Sequence, residues 1–193
     1  MRFLYVLYSC LCYPFIWLFC PCRVTGRENI PKGPAIVCAN HSSNFDPVMM
    51  ALYFGMKHQL YFMAKAELLE IPVLGPMLRG AGVFPIKRGN NTDIKAIRTA
   101  MGILKDGGKV MIFPEGTRVL EGESVAAKSG AVRIAAKLNV PILPVFLTSG
   151  RKAFRINRMV IGEPYHIKVP ADKNYEAVSD ELLNKIRQLE PEN

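Results

Sequence analysis

Short apolar runs bounded by turn residues stand at 35–39, 60–64, 82–86, 109–113 and 140–148. Those at 35–39 and 109–113 read as buried strands, those at 60–64 and 140–148 as further strands, and 82–86 as a short extended segment. Between them the period changes. Over 92–105, Ile94, Ile97, Met101 and Leu104 recur at three- and four-residue steps and share one helix face. Asn91 or Thr92 is placed to cap that helix, and Asp106-Gly107-Gly108 to end it. A second amphipathic helix is expected over 129–138, with Val132, Ala135 and Ala136 inward. A third is expected over 47–55, with Asp46 available as N-cap and Pro47 at the first helical position. The chain is extended after Arg23 and turns at 31–34. Residues 67–79 are mixed, broken by Pro72 and Pro76, with Ile71, Val73, Leu74, Met77 and Leu78 reading as exposed. Two shorter strands near 159–161 and 165–169 precede an acidic helix at about 175–190. Alternating strands and helices imply an α/β fold, with a mixed, largely parallel central sheet flanked by helices. No linker divides it, so residues 23–193 read as one domain.

The first residues break the pattern. Residues 3–22 carry no charge, and their length is about that of a bilayer span. Pro14 would kink such a helix near its middle. Tyr5, Tyr8, Tyr13 and Trp17 suit the headgroup region. No small-residue cleavage site follows, which argues against a removed signal peptide. A single span and a buried helix of a soluble core are alternatives. A kinked or interfacial helix entering one leaflet fits the central proline and scattered aromatics better. Residues 1–22 are therefore read as an apolar N-terminal membrane-anchoring helix segment, holding the protein monotopically on the cytoplasmic face of the cell membrane.

Composition supports that reading. The 193 residues include 25 Lys+Arg and 16 Asp+Glu, a net charge of +9, and half are hydrophobic. Such a chain is too apolar to be disordered. It is both basic and apolar, which suits an anionic membrane surface. The charge is uneven: residues 1–170 hold 22 basic and 10 acidic residues, whereas 171–193 hold 3 and 6. The densest basic stretch, 118–158, has eight basic residues against Glu121 and Glu123. The aromatics concentrate in the first segment and are not interleaved with this stretch, so nucleic acid is not the expected partner. Cys10, Cys12, Cys20 and Cys22 lie in the apolar segment, and Cys38 in a strand. Neither a zinc spacing nor a disulfide framework fits them, so no metal is expected.

Sites in open α/β sheets gather at the carboxyl ends of strands. Two polar segments stand there: 40–46 (NHSSNFD) and 113–118 (FPEGTR). His41 is one of three histidines, and Asp46 follows it by five residues in a strand-to-helix turn. Such a carboxylate can fix the imidazole tautomer and make the other ring nitrogen a general base. No Gly-x-Ser-x-Gly elbow occurs, so the simpler chemistry is direct activation of a substrate hydroxyl. In the second segment Gly116 admits close approach of backbone amides, Thr117 offers a hydroxyl, and Arg118 a fork of donors matched to phosphate. Arg88 adds another guanidinium after 82–86.

These residues together resemble the glycerophospholipid acyltransferases. The stretch 40–46 matches the His-x4-Asp motif, 82–88 (GVFPIKR) the second block, 113–118 the third and 140–144 (VPILP) the fourth, in the same order. The resemblance covers roughly residues 23–170, and the subgroup it is most similar to is the bacterial 1-acyl-sn-glycerol-3-phosphate acyltransferases. It implies that His41 deprotonates the free hydroxyl of lysophosphatidate, which attacks the thioester of acyl-CoA or acyl-carrier protein to give phosphatidate without an acyl-enzyme. Asp46 would orient His41. Arg88, Glu115, Gly116, Thr117 and Arg118 would hold the phosphate and glycerol, with Lys128 as a further phosphate helper. No cofactor is implied. Lys87 and Val119 depart from the commoner pattern, the latter where a helper serine often stands. The thioester reaction passes through an oxyanion, for which backbone amides near 42–44 or 116–117 are the candidates. The alternatives are transfer to glycerol 3-phosphate or another lysolipid, and non-catalytic binding to an anionic membrane surface.

Overall fold

The computed structural model describes residues 2–86, 93–119, 125–151, 153–169 and 171–191. Among the described residues seven strands form one sheet: β1 (Cys22–Thr25), β2 (Ala35–Ala39), β3 (Leu60–Lys65), β4 (Val83–Ile86), β5 (Lys109–Ile112), β6 (Ile142–Leu147) and β7 (Asn157–Ile161). Their order is β1-β7-β6-β2-β5-β3-β4. All neighbouring pairs are parallel except β6–β7. The expected mixed, largely parallel sheet is therefore observed.

The continuous apolar runs have their expected cause. All five residues of β2 and all six of β6 are buried. Alternate side chains point to opposite faces. Ile36, Cys38, Val110 and Ile142 enter one core, with residues of α4 (Ile94–Lys105), α5 (Gly130–Leu138) and α6 (Tyr175–Gln188). Val37, Ala39, Met111, Leu143 and Val145 enter the other, with Met49, Met50 and Tyr53 of α2 (Asp46–Tyr53).

Several local expectations change. Asp93, not Asn91 or Thr92, caps α4, its side chain accepting from Ala96 N; those two residues lie outside the described ones. Asp46 does not cap α2: it is the first helical residue, and Phe45 holds the cap position without a side-chain bond. The expected strand over 165–169 reduces to one bridge, Tyr165 to Ile142. The mixed stretch 67–79 resolves into a 3-10 turn over Ala66–Leu69 and α3 (Leu74–Gly80). Ile71, Val73, Leu74 and Met77 are exposed as expected, whereas Leu78 is only partly so.

The N-terminal segment forms α1 (Arg2–Phe19), with Pro14 inside it, and Cys22 already belongs to β1. One stripe of α1 docks on the domain. Tyr5 is buried and its hydroxyl donates to Ala51 O at 2.7 Å, and the rings of Tyr13 and Tyr53 lie 5.6 Å apart. Burial raises the Tyr5 phenol to about 12, against a smaller opposing pull from the Leu60 backbone. The opposite stripe exposes Phe3, Leu11, Phe15, Trp17 and Leu18. Among the described residues no helix is long and apolar enough to cross a membrane, so the fold does not support the expected membrane-anchoring segment. Cys20 and Cys22 pack against the second core, while Cys10 and Cys12 are exposed.

Candidate active site

Strands β2, β5 and β6 are adjacent and parallel, so their carboxyl ends deliver three loops to one place. The loop after β2 carries His41 and runs into Asp46 at the start of α2. Asn40 fixes its departure, donating to Leu147 O at 2.8 Å and accepting from Leu147 N at 2.7 Å. A side-chain amide thus extends the β2–β6 ladder past its last backbone pair. The His41 ring stacks on Phe113 at 4.1 Å between centroids, with planes 18° apart.

His41 Nδ1 lies 2.8 Å from Asp46 Oδ2. The same oxygen accepts from Ser42 N at 2.7 Å and Ser43 N at 2.8 Å. Asp46 is fully buried, and its Oδ1 pairs with Arg151 Nη2. A buried carboxylate is costly unless paired and hydrogen-bonded, and here both oxygens are engaged. A carboxylate at Nδ1 places the proton on that nitrogen and makes Nε2 the basic one.

The loop after β5 is locked to the loop after β2. His41 N donates to Glu115 Oε2 at 2.7 Å, and Val119 N donates to His41 O at 2.8 Å. Burial pushes the Glu115 carboxyl above its ordinary value, opposed by the His41 amide and by the charges of His41 and Arg187. Gly116 has φ +67°, and a Cβ there would lie 2.6 Å from Cδ and Cε of Lys128. Glycine is thus favoured by the left-handed backbone, while the flexible end of Lys128 lies close over it. Lys128 N in turn donates to Pro114 O at 2.8 Å.

His41, Asp46, Glu115, Gly116 and Lys128 therefore meet in one place. Thr117 and Arg118 follow on the same loop and are exposed. Arg88 and Lys87 lie outside the described residues. The amides of Ser42 and Ser43 are committed to Asp46, and that of Gly116 to Phe113 O at 3.0 Å. Those three are therefore poor candidates for the oxyanion donor expected near 42–44 or 116–117. Sequence reasoning missed Arg151. It counted only as one of the cations in 118–158; its position just past Ser149-Gly150, beyond a buried strand, was the available signal.

His41, Gly116 and Lys128 line a cavity of about 1470 Å³. Its walls include Tyr5 and Tyr8 of α1, Leu74 and Met77 of α3, and Ile97 and Met101 of α4. An imidazole and a lysine thus line a mainly apolar chamber. Among the described residues no group of His, Cys, Asp and Glu side chains could hold a metal ion.

The chain as a whole is similar to known proteins. The sequence pattern of the acyltransferase family matches residues 21–148. The chain is 33% identical over 178 residues to the 1-acyl-sn-glycerol-3-phosphate acyltransferase of Bacillus subtilis, a match covering 87% of each protein. It is 30% identical over 167 residues to a chloroplastic 1-acyl-sn-glycerol-3-phosphate acyltransferase of Arabidopsis thaliana, covering 80% of this chain and 45% of that one. The crystal structure of the 1-acyl-sn-glycerophosphate acyltransferase of Thermotoga maritima superposes with a TM-score of 0.75 at 28% identity, over 98% of this chain and 79% of that one.

Proposed function

As a member of the acyltransferase family, this chain is an acyl-transferring enzyme, and we propose that it acylates the free hydroxyl of 1-acyl-sn-glycerol 3-phosphate to give phosphatidate. The observation that carries the mechanism is the His41–Asp46 pair at 2.8 Å, opening onto an apolar cavity. His41 Nε2 takes the hydroxyl proton as the oxygen attacks the thioester carbonyl of acyl-CoA or acyl-carrier protein. The tetrahedral oxyanion collapses, the carbon–sulfur bond breaks, and the departing thiolate receives the proton from His41. No acyl-enzyme forms. Asp46 stabilises the transient imidazolium and fixes the ring.

Lys128, with Arg88, Thr117 and Arg118, supplies cations and a hydroxyl for the acceptor phosphate. Glu115 and Gly116 shape the loop around the glycerol. The apolar walls suit the acyl chain of a lysolipid. The exposed stripe of α1 and the exposed apolar residues of 71–77 rest on an anionic membrane, with the protein monotopic on the cytoplasmic face.

The test is purified protein with lysophosphatidate and labelled acyl-CoA or acyl-carrier protein. Labelled phosphatidate is expected with at least one donor; none with either defeats the proposal. Glycerol 3-phosphate and other lysolipids in parallel decide the acceptor. Label retained on protein incubated with donor alone would show an acyl-enzyme and overturn direct transfer.

A further inference from the structure

We propose that Arg151 is a positioning residue for this reaction, clamping the Asp46 carboxylate so that Asp46 in turn holds His41. The proposal rests on the reading of His41 as the base. Arg151 belongs to none of the motif blocks; it sits between β6 and β7, 105 residues from Asp46 along the chain. Its Nη1 donates to Thr148 O at 2.8 Å and its Nη2 pairs with Asp46 Oδ1. Its side chain is only 7% exposed, and that of Asp46 is 0% exposed. The preceding Gly150 adopts φ +58°, the left-handed turn that brings the guanidinium back under the sheet end.

The two oxygens of Asp46 divide the work. Oδ2 gathers His41 Nδ1 and the amides of Ser42 and Ser43; Oδ1 is held by Arg151. A fork donor fixed at its own end by a backbone carbonyl restricts rotation of the carboxylate, and so the plane in which Oδ2 meets the imidazole. It also balances the charge. Without Arg151, the nearest remaining counter-ion for the buried carboxylate would be a protonated His41, and an imidazolium is no base. Arg151 thus lets Asp46 orient His41 without keeping it charged.

Other charged and titratable groups face this cluster. Glu115 approaches the His41 backbone from the loop after β5, with Arg187 of α6 acting on it. Cys20 and Cys22 face Arg151 from the chain entering β1, and Arg27 acts on Cys22. Burial pushes the Cys22 thiol up to about 12, so it stays neutral over the working range. Lys128 lies beyond Gly116.

Arg151→Met in the full-length protein is expected to lower kcat about 100-fold, with a much smaller change in KM for the acceptor. The acidic limb of its pH–rate profile should move to higher pH. Arg151→Lys should recover part of the rate. Because Arg151 acts through Asp46, adding Arg151→Met to Asp46→Asn should change kcat less than threefold; that double variant also removes both buried charges, which protects folding. Turnover is supplemented by a readout independent of it: the His41 ring titration followed by NMR should move up in Arg151→Met. A fully folded Arg151→Met with near-normal kcat and an unmoved His41 titration would overturn the proposal. So would a loss confined to acceptor KM, the mark of a direct phosphate ligand, or an undiminished loss in the Asp46→Asn background. If wild-type protein transfers no acyl group, the acyltransferase reading fails, whereas the NMR titration still decides whether Arg151 acts on His41 through Asp46.

Discussion

The two ends of the central strands are built differently. At the amino ends of β2, β5 and β6 the chain makes compact turns. Gly107 has φ +83° and Asn139 φ +50°, and the buried cation there, Lys109, donates to Gly33 O at 2.9 Å. At the carboxyl ends of the same strands the loops interlock through side chains, and Asp46, Glu115, His41 and Arg151 come together. One end closes the sheet with backbone geometry. The other assembles a charged network inside the protein, which is costly unless every member is paired. That cost is tolerable where the network supports chemistry, so the difference favours the carboxyl ends for the proposed site.

Substitutions at the two ends test this contrast. The largest effect is expected from His41→Ala. Its kcat should fall at least about 1000-fold, with the far-ultraviolet circular dichroism retained; near-normal turnover would remove His41 from the mechanism. Gly116→Ala comes next. It places a Cβ against Lys128 and strains a left-handed backbone, at a cost of about 1 kcal/mol in stability. Acceptor KM should rise about tenfold, read from saturation curves, if Lys128 serves the phosphate.

Glu115→Gln should alter stability with a defined pH dependence. Burial raises the Glu115 carboxyl in the folded state, so its ionised form opposes folding above that raised value. The glutamine variant should therefore melt a few degrees higher near neutral pH. The gain should disappear below the ordinary carboxylate range, about pH 4. Melting curves across that range check the sign. The smallest effect is expected from Lys109→Met at the opposite strand end. Burial disfavours its ammonium, while Gly33 O loses a donor, two effects that oppose each other. Stability should change by about 1 kcal/mol or less, and kcat/KM should stay within about twofold. A loss at Lys109 as deep as that at His41 would erase the distinction between the two ends.

Much of this was legible along the chain. The buried strands announce themselves as unbroken apolar runs because a parallel sheet covered on both faces needs no polar side. Helix α4 was recognisable by its period, but the face that meets the core is Ala96, Ala100 and Leu104; of the expected stripe only Leu104 is buried, Ile94 is exposed, and Ile97 and Met101 border the cavity. His41 and Asp46 are five residues apart, so one turn brings them together and sequence spacing suffices. The Glu115 loop was recognisable by its residues, but its tie to the His41 amide was not, since it joins different strands.

The sequence by itself determined the alternating architecture, the polar loops at the strand ends, the pairing of His41 with Asp46, and an N-terminal segment without charge. Tertiary structure alone decided that α1 lays a stripe of Tyr5 and Tyr13 on the domain, that Cys22 begins an edge strand, and that Asp46 serves His41 rather than capping its own helix. It also decided that Arg151, 105 residues on, reaches that carboxylate. The reason is range. Periodicity and turn chemistry act over a few residues and leave a local trace. Pairing between loops depends on strand order, which brings β2 beside β6 only after the chain between them has folded.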